Sequence, residues 1–302
     1  MTEFLPIVIS ASRRTDIPAF YMDWFMASIK KGQFEVINPF NRKSFRVPAG
    51  PQAVHTLVFW SKDFGLFLEK GHGEMLQKMG YQLFFNFTLN SESQVLEPGV
   101  PALDKRLDQL EELCRRFDPR SVNLRVDPIC FYETKDQACR DNLQDFPRIV
   151  RKAADSGVRR CITSFMDHYA KIDKRVKSLS GFRFVDPDMP DKIKILLFLE
   201  EEMEGLNMEL FTCCEKELLE ALPDNAKVKA SACVPNDLLL ELFGGRLSLK
   251  KDSGQRVKQG CGCGTSVDIG SYDLHPCFHN CLFCYANPAM DTGFSKPAGR
   301  VQ

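Results

Sequence analysis

The chain has 302 residues, 40 basic and 40 acidic side chains, and a formal net charge of zero at pH 7. Hydrophobic residues make up 44% and charged residues 26%, a composition that excludes a disordered chain, a collagen-like chain and a small disulfide scaffold. The zero net charge argues against a general nucleic-acid binder, which needs a basic excess, although it leaves room for a local basic groove.

The apolar segments of the chain are too short to span a bilayer. The stretch Ile195–Leu199 is one of the longest and is bounded by charge, whereas a spanning helix needs about 20 apolar residues. The first residues do not resemble a secretory signal, because Glu3 stands where positive charge belongs and Arg13 and Arg14 follow the apolar run. We therefore expect a cytoplasmic protein with no membrane partner, in which thiols stay reduced.

Short apolar runs alternate with helical patterns along the chain. Seven runs rich in Val, Ile, Phe and Leu predict strands that are covered on both faces. In chain order they are Ile7–Ser10, His55–Trp60, Gln82–Thr88, Ser121–Val126, Arg160–Ser164, Glu209–Thr212 and Val228–Ala232, with Ser266–Gly270 as a candidate eighth. Apolar residues at three-to-four spacing predict helices between them. These are Leu103–Phe117, Ile149–Ser156, Lys192–Leu206 and Lys216–Leu222.

This alternation predicts an α/β fold with a parallel sheet, curled into a TIM-barrel-like (β/α) barrel. Residues 1–232 would form the barrel body, and residues 233–302 would form a cysteine-rich segment that completes it.

Polar side chains follow most of the predicted strands. Because the site of a (β/α) barrel lies at the carboxyl ends of its strands, these side chains should ring one mouth. The most suggestive set follows the first strand and comprises Ser12, Arg13, Arg14 and Asp16. Two guanidinium groups and a carboxylate can bind a zwitterion such as an amino acid. Any one of these residues taken alone is more often a helix cap or a turn residue.

Three of the 12 cysteines form a compact motif near the end of the chain. Cys277, Cys281 and Cys284 are spaced by four and three residues. This spacing allows a single loop to hold three corners of an iron–sulfur cubane. Because such clusters are usually held by four thiolates, one iron would stay open to another ligand.

A second group comprises Cys233, Cys261 and Cys263, the last two in a loop with glycine on both sides. We expect these thiols either to hold a second cluster or a structural zinc, or to stay reduced and unligated. Candidates for the missing fourth ligand are Cys213, Cys214 and His275. His275 and His279 flank the tail motif, where histidines more often cap loops or bond to cluster sulfides than ligate metal.

The segment 277–285 resembles the cluster motif of the radical S-adenosylmethionine (SAM) superfamily, which usually has an aromatic residue before the last cysteine, here Phe283. Its context from Leu274 to Tyr285 is similar to that of spore photoproduct lyase relatives. Over nearly the whole chain, the sequence is similar to an uncharacterised bacterial family, domain of unknown function 1848 (DUF1848). The segments that carry this likeness are Ile9–Pro18, Gln255-Arg256, Cys261-Gly-Cys263, Ser266–Gly270 and the cysteine tail.

The superfamily resemblance implies that Cys277, Cys281 and Cys284 ligate a [4Fe-4S] cluster whose fourth iron binds the amino and carboxylate groups of SAM. One-electron reduction by a low-potential donor would then release a 5′-deoxyadenosyl radical, which abstracts hydrogen from a substrate.

The position of the motif differs from the superfamily, which usually carries this loop after the first barrel strand. A circular permutation reconciles the two, with Val267–Ile269 as the cluster-bearing strand and Ile7–Ser10 as its neighbour. The loop that holds Ser12, Arg13, Arg14 and Asp16 would then face the cofactor. Asp16 or Ser12 would bind the amine and an arginine the carboxylate.

We therefore expect a radical SAM-type enzyme acting on a polar substrate, for which a nucleotide, a peptide or a small metabolite would fit. One alternative is a barrel with a structural zinc or iron–sulfur module and no SAM chemistry. Another is an electron carrier, which normally saturates every iron of its cluster. A nucleic-acid partner is disfavoured, because the basic run Lys171–Lys177 is typical of a solvated helix face.

Overall fold

The computed structural model describes residues 5–39 and 41–286. Its strands are β1 (Ile7–Ala11), β2 (Gln33–Ile37), β3 (Ser44–Pro48), β4 (Val54–Ser61), β5 (Gln82–Thr88), β6 (Val122–Ile129), β7 (Phe131–Glu133), β8 (Cys139–Asp141), β9 (Arg160–Phe165), β10 (Arg183–Val185), β11 (Glu209–Thr212), β12 (Lys229–Ala230) and β13 (Val267–Asp268).

The α-helices are α1 (Ile17–Phe20), α2 (Met22–Lys31), α3 (Gly65–Glu69), α4 (His72–Lys78), α5 (Leu103–Arg116), α6 (Phe146–Asp155), α7 (Ala170–Val176), α8 (Met189–Glu202), α9 (Lys216–Ala221) and α10 (Asn236–Phe243). Short 3-10 helices lie at Pro119–Ser121 and Val257–Gln259. Within the described residues, no helix is long and apolar enough to cross a membrane.

The main sheet contains all eight strands that the sequence predicts. They pair in parallel in the order β12-β11-β9-β6-β5-β4-β1-β13. From β1 to β12 this order follows the chain, and β13 is added beside β1. The pairing of β13 with β1 aligns Val267 with Ile9 and Asp268 with Ser10. The prediction that these two strands are neighbours is therefore confirmed.

The main sheet is open between its outermost strands. In the described part of the chain, no strand ladder joins β12 to β13, so the parallel α/β sheet is confirmed, whereas closure into a barrel is not. Backbone hydrogen bonds nevertheless lie near this gap. Gly262 N–H donates to the Ser231 carbonyl at 3.3 Å, and Gly264 N–H donates to the Val234 carbonyl at 2.9 Å. The loop that carries Cys261 and Cys263 thus lies against the chain that follows β12.

Alternate residues of each strand face two different cores, because successive side chains of a strand point to opposite faces of the sheet. One face, which includes Ile9 of β1 and Phe85 of β5, packs against most of the helices. The opposite face includes Val8 and Phe84 and is covered by Leu239 of α10 and the second cysteine group. Both faces of the sheet are therefore covered, as the apolar strand sequences predict.

Two small antiparallel sheets lie outside the main sheet, and sequence periodicity did not predict them. β2 pairs with β3 over residues 33–48, and β7 is flanked by β10 and β8. Their strands are short and lie away from the parallel repeat of strand and helix. These two small sheets are additions to the main sheet and do not change the order of its strands.

Candidate functional site

A cavity of about 460 Å³ lies at the carboxyl ends of the parallel strands. This is the end of the sheet at which α/β proteins place their ligands. The cavity is lined by strand-end residues such as Ser61, Asp127 and Ser164 and by eight cysteines. These cysteines are Cys213, Cys214, Cys233, Cys261, Cys263, Cys277, Cys281 and Cys284. The two cysteine groups singled out in the sequence therefore share one cavity.

The loop 277–284 that carries the tail motif is held against the chain that follows β5. Gly99 N–H donates to the His279 carbonyl at 2.9 Å, and Leu282 N–H donates to the Leu96 carbonyl at 2.8 Å. These two bonds fix the loop at positions between its cysteines. The positions of the three thiols therefore depend on a segment that is distant in sequence.

Buried charges surround the central thiol of the motif. The Cys281 Sγ lies 3.8 Å from a carboxylate oxygen of Glu97, and the Lys62 ammonium lies 2.5 Å from the same oxygen. Burial and the Glu97 charge raise the pKa of Cys281, and the Lys62 charge acts against them. Arg106 is buried nearby, and Arg175 donates to two carbonyls of the motif loop.

The motif thus lies near the cations of Lys62, Arg106 and Arg175 and the carboxylate of Glu97. Lys62 follows a predicted strand, and Arg175 lies in the basic run Lys171–Lys177 that we interpreted as a solvated helix face. Arg106 and Glu97 were not singled out, because no motif spacing marks them.

Asp16 connects the loop after β1 to the cysteine motif. One carboxylate oxygen accepts from Ala19 N–H at 3.0 Å, which caps α1, and from the Ser61 hydroxyl at 2.7 Å. The other accepts from Lys62 N–H at 2.8 Å and lies 2.8 Å from Nε2 of His279. Both oxygens of Asp16 therefore have partners within the protein, and its contact with a cofactor amine stays a prediction.

His279 is held in place by hydrogen bonds at both ring nitrogens. Besides its contact with Asp16, its Nδ1 lies 3.2 Å from the Gly99 carbonyl. His275 is also buried, but it packs against the rings of Tyr21 and Trp24, with centroids 5.0 and 4.1 Å away. Both histidines are thus held by contacts with other residues of the protein.

A second carboxylate, that of Asp268, joins the end of β13 to the loop after β1. It accepts from the Ser12 hydroxyl at 2.8 Å, the Ser10 hydroxyl at 3.0 Å and the Arg13 backbone N–H at 2.7 Å. Arg14 donates to the Gly270 carbonyl at 2.9 Å. Ser12 and Arg14 therefore have structural partners at this junction.

The side chains of Arg13 and Arg125 lie on the indole ring of Trp60, with guanidinium carbons 5.2 and 4.8 Å from the ring centroid. Arg13 also donates to the Ser266 hydroxyl at 3.2 Å, and Arg125 forms an ion pair with Asp127. Arg13 Nη2 and Arg125 Nε are buried and have no hydrogen-bond acceptor among the described residues. Each arginine therefore has one buried nitrogen donor beside the cavity that is not bonded to a described residue.

The second cysteine group is larger than the sequence suggested. The Sγ atom of Cys213 lies 3.7 Å from that of Cys214 and 3.8 Å from that of Cys233. Cys261 is in thiol contact with Cys213, Cys214 and Cys263. Cys263 is in thiol contact with Cys233. We call these five residues the thiol cluster.

Two of the three residues considered as further ligands, Cys213 and Cys214, thus belong to the thiol cluster, whereas the ring contacts of His275 place it elsewhere. The nearby Cys213 thiol, together with burial, raises the pKa of Cys233 to about 12, above its ordinary value. Within residues 5–39 and 41–286, no group of three or more histidine, cysteine, aspartate or glutamate side chains is arranged around a point where one metal ion would bind.

The sequence also matches the model of a protein family. The family model described as a domain of unknown function (DUF1848) matches residues 8–286. The chain belongs to this family. The match runs from β1 through the last cysteine, so it includes both cysteine groups and every strand of the main sheet. Comparison with curated proteins found no match.

Proposed function

We propose that this member of the DUF1848 family is a radical enzyme in which Cys277, Cys281 and Cys284 hold a [4Fe-4S] cluster. The observation that carries the proposal is the place of the three-cysteine loop, which shares a cavity at the carboxyl ends of the parallel strands with the segment from Ser12 to Asp16. The sheet, on this proposal, is a circularly permuted relative of the radical SAM barrel. When bound, the cluster would pass one electron from a low-potential donor to SAM, whose cleavage starts the reaction.

The residues present fit such a cluster. In a cubane each cysteine binds a different iron atom, so three thiols need not surround one point as the ligands of a single ion do. Burial raises the pKa of Cys277, and coordination to a metal overcomes such a penalty because it deprotonates a thiol outright. Lys62, Arg106 and Arg175 supply positive charge around the thiolates, which would balance part of the negative charge of the cluster.

Arg13 is the residue we assign to the cofactor carboxylate. It lines the cavity, and its Nη2 is buried without an acceptor among the described residues. A guanidinium group binds a carboxylate through charge-assisted hydrogen bonds. Asp16 acts on this proposal as a positioning residue, because it orients His279 and caps α1. The polar cavity lining favours a hydrophilic substrate.

The first test is replacement of the three motif cysteines. We expect the Cys277→Ala, Cys281→Ala, Cys284→Ala variant to lose one cluster's worth of iron after anaerobic reconstitution, because each cubane holds its own metal. The same variant should not cleave SAM to 5′-deoxyadenosine with dithionite. The matched control replaces Cys114, Cys139 and Cys161, which lie outside the cavity lining. Unchanged iron in the motif variant would contradict the assignment, and a fully reconstituted wild type that leaves SAM intact would favour a structural metal module.

The second test concerns Arg13. The Arg13→Ala variant should bind SAM about tenfold or more weakly, since a charge-assisted hydrogen bond contributes about 1.5–3 kcal/mol. Its iron content should equal that of the wild type. Equilibrium dialysis of labelled SAM against the reconstituted protein measures the affinity, with the exposed Arg46→Ala as the control. Equal affinities of the two variants would remove Arg13 from the cofactor site.

A further inference from the structure

Four members of the thiol cluster form a closed ring of contacts. Around the ring, Cys213 contacts Cys233, Cys233 contacts Cys263, Cys263 contacts Cys261, and Cys261 contacts Cys213. Cys214 contacts Cys213 and Cys261 from the side. We propose that Cys213, Cys233, Cys261 and Cys263 form a second metal site, which binds one tetrahedral divalent ion of the zinc type and is separate from the cluster of the tail motif.

The separation of the Cys213 and Cys233 sulfur atoms matches that of two ligands of a single ion. A tetrahedron with metal–sulfur bonds of about 2.3 Å has sulfur–sulfur edges of about 3.8 Å. The Cys213 and Cys233 sulfur atoms lie 3.8 Å apart. In the structure the four thiols contact one another but do not surround one central position for a metal ion. Small rotations about their Cα–Cβ bonds must therefore accompany binding of the ion. Four cysteines are a usual ligand set of structural zinc.

The backbone around the thiols is held closely. Gly262 separates two of the ring cysteines, and its N–H donates to the Ser231 carbonyl. A Cβ atom at Gly262 would lie 2.7 Å from the Ser231 carbonyl oxygen, closer than non-bonded atoms allow. Only glycine therefore lets Cys261 and Cys263 approach the chain that follows β12. A metal ion here would join the end of β11, the chain after β12 and the loop that leads into β13, near the open edge of the sheet.

Two arginines lie beside the four thiols of the proposed site. Four thiolates and one divalent cation leave two negative charges, and a buried charge needs a partner. Arg13 lies next to Cys263 and Cys233, and Arg125 interacts electrostatically with Cys233 and Cys213. Both arginines keep one buried donor without an acceptor among the described residues. Both guanidinium groups therefore place positive charge beside the four thiols, Arg13 with the Asp268 carboxylate nearby and Arg125 in its ion pair with Asp127.

The test is a titration of the full-length protein with Co²⁺, prepared metal-free and reduced under anoxic conditions. We expect one equivalent to give the ligand-field and thiolate charge-transfer absorption of tetrahedral cobalt, and Zn²⁺ to displace it. The Cys277→Ser, Cys281→Ser, Cys284→Ser variant should keep this signal. The Cys233→Ser variant should lose the cobalt signal. Cys214→Ser is the matched control from the same thiol cluster, and this variant should keep the signal. Arg125→Gln should weaken binding by about 10–100-fold, as changes around metal ligands do.

Alkylation of the wild-type protein tests the same assignment without any substitution. Bound Zn²⁺ should protect Cys213, Cys233, Cys261 and Cys263 from a thiol reagent and leave Cys214 open to alkylation, as fragment mass spectrometry of the peptides would show. Protection of the tail motif instead, or a cobalt signal that survives in Cys233→Ser, would overturn the proposal. So would binding only of iron with sulfide. None of these outcomes depends on SAM cleavage, so this proposal and the proposed function can fail independently.

Discussion

Replacing Asp16 by Asn should lower the free energy of unfolding by about 2–6 kcal/mol, because two buried donors lose their acceptor at about 1–3 kcal/mol each. Asn retains one oxygen, which can still cap α1 and accept from Ser61. In the wild type, the second carboxylate oxygen accepts from Lys62 N–H and lies beside His279. In the variant, the side-chain NH₂ group takes the place of this oxygen, and these two partners lose their acceptor. Because His279 belongs to the cysteine motif, we also expect iron retention to fall.

Denaturant unfolding and the iron content after reconstitution measure both effects of Asp16→Asn. The matched control is Asp23→Asn, since Asp23 is exposed and lies 3.6 Å from its partner Lys70. An exposed ion pair is worth about 0–1 kcal/mol, so this variant should stay close to the wild type. If Asp16→Asn instead keeps its stability and iron and only binds SAM more weakly, Asp16 contacts the cofactor directly, as its sequence position first suggested.

Replacing Gly99 by Ala should separate the motif loop from the chain that follows β5. The added Cβ would lie 2.5 Å from the Phe278 carbonyl oxygen and 2.8 Å from that of His279. Both atoms belong to the backbone, so no side-chain rotation relieves the contact, and overpacking of this kind costs about 1–3 kcal/mol or more. The hydrogen bond from Gly99 N–H to His279 would be stretched or lost as well.

The readouts for Gly99→Ala are thermal unfolding and the yield of reconstituted cluster, both of which should decrease. Gly50→Ala is the matched control, because no atom lies within 4 Å of the position of its Cβ. That change should be close to neutral. Equal stability and equal iron in the two variants would show that the loop is not anchored through Gly99, and the motif would then have to be placed by other contacts.

The thiols show where spacing along the chain is informative and where it is not. Three cysteines at spacings of four and three residues are bound to lie near one another, whatever the fold, because a short loop limits their separation. Cys213 and Cys233 are 20 residues apart and are separated by α9 and β12, so no local pattern relates them. Their sulfur atoms meet because β11 and β12 are parallel neighbours whose carboxyl ends lie together.

The positions of the eight parallel strands were predicted from the sequence, whereas the five strands of the two small sheets were not. The central parallel strands are apolar runs, because a strand covered on both faces is apolar along most of its length. The four predicted helices are present for a similar reason, since their apolar stripes recur at helical spacing, and α5 and α9 end within one residue of the prediction. The pairing of β1 with β13 was predicted from the late position of the cysteine motif, on the assumption of a circularly permuted chain.

The tertiary structure decided the partners of buried charges and the extent of sheet closure. Asp16 became a positioning residue because Ser61, Lys62 and His279 reach its carboxylate from distant segments. The pairing of Lys62 with Glu97 beside Cys281 carries no sequence signal, since Lys62 is marked only as a strand-end residue and Glu97 looks like an ordinary surface charge. Among the described residues, the outer strands β12 and β13 pair with β11 and β1 but not with each other, so no ladder closes the sheet. Such outcomes depend on long-range contacts, which periodicity and spacing along the chain do not describe.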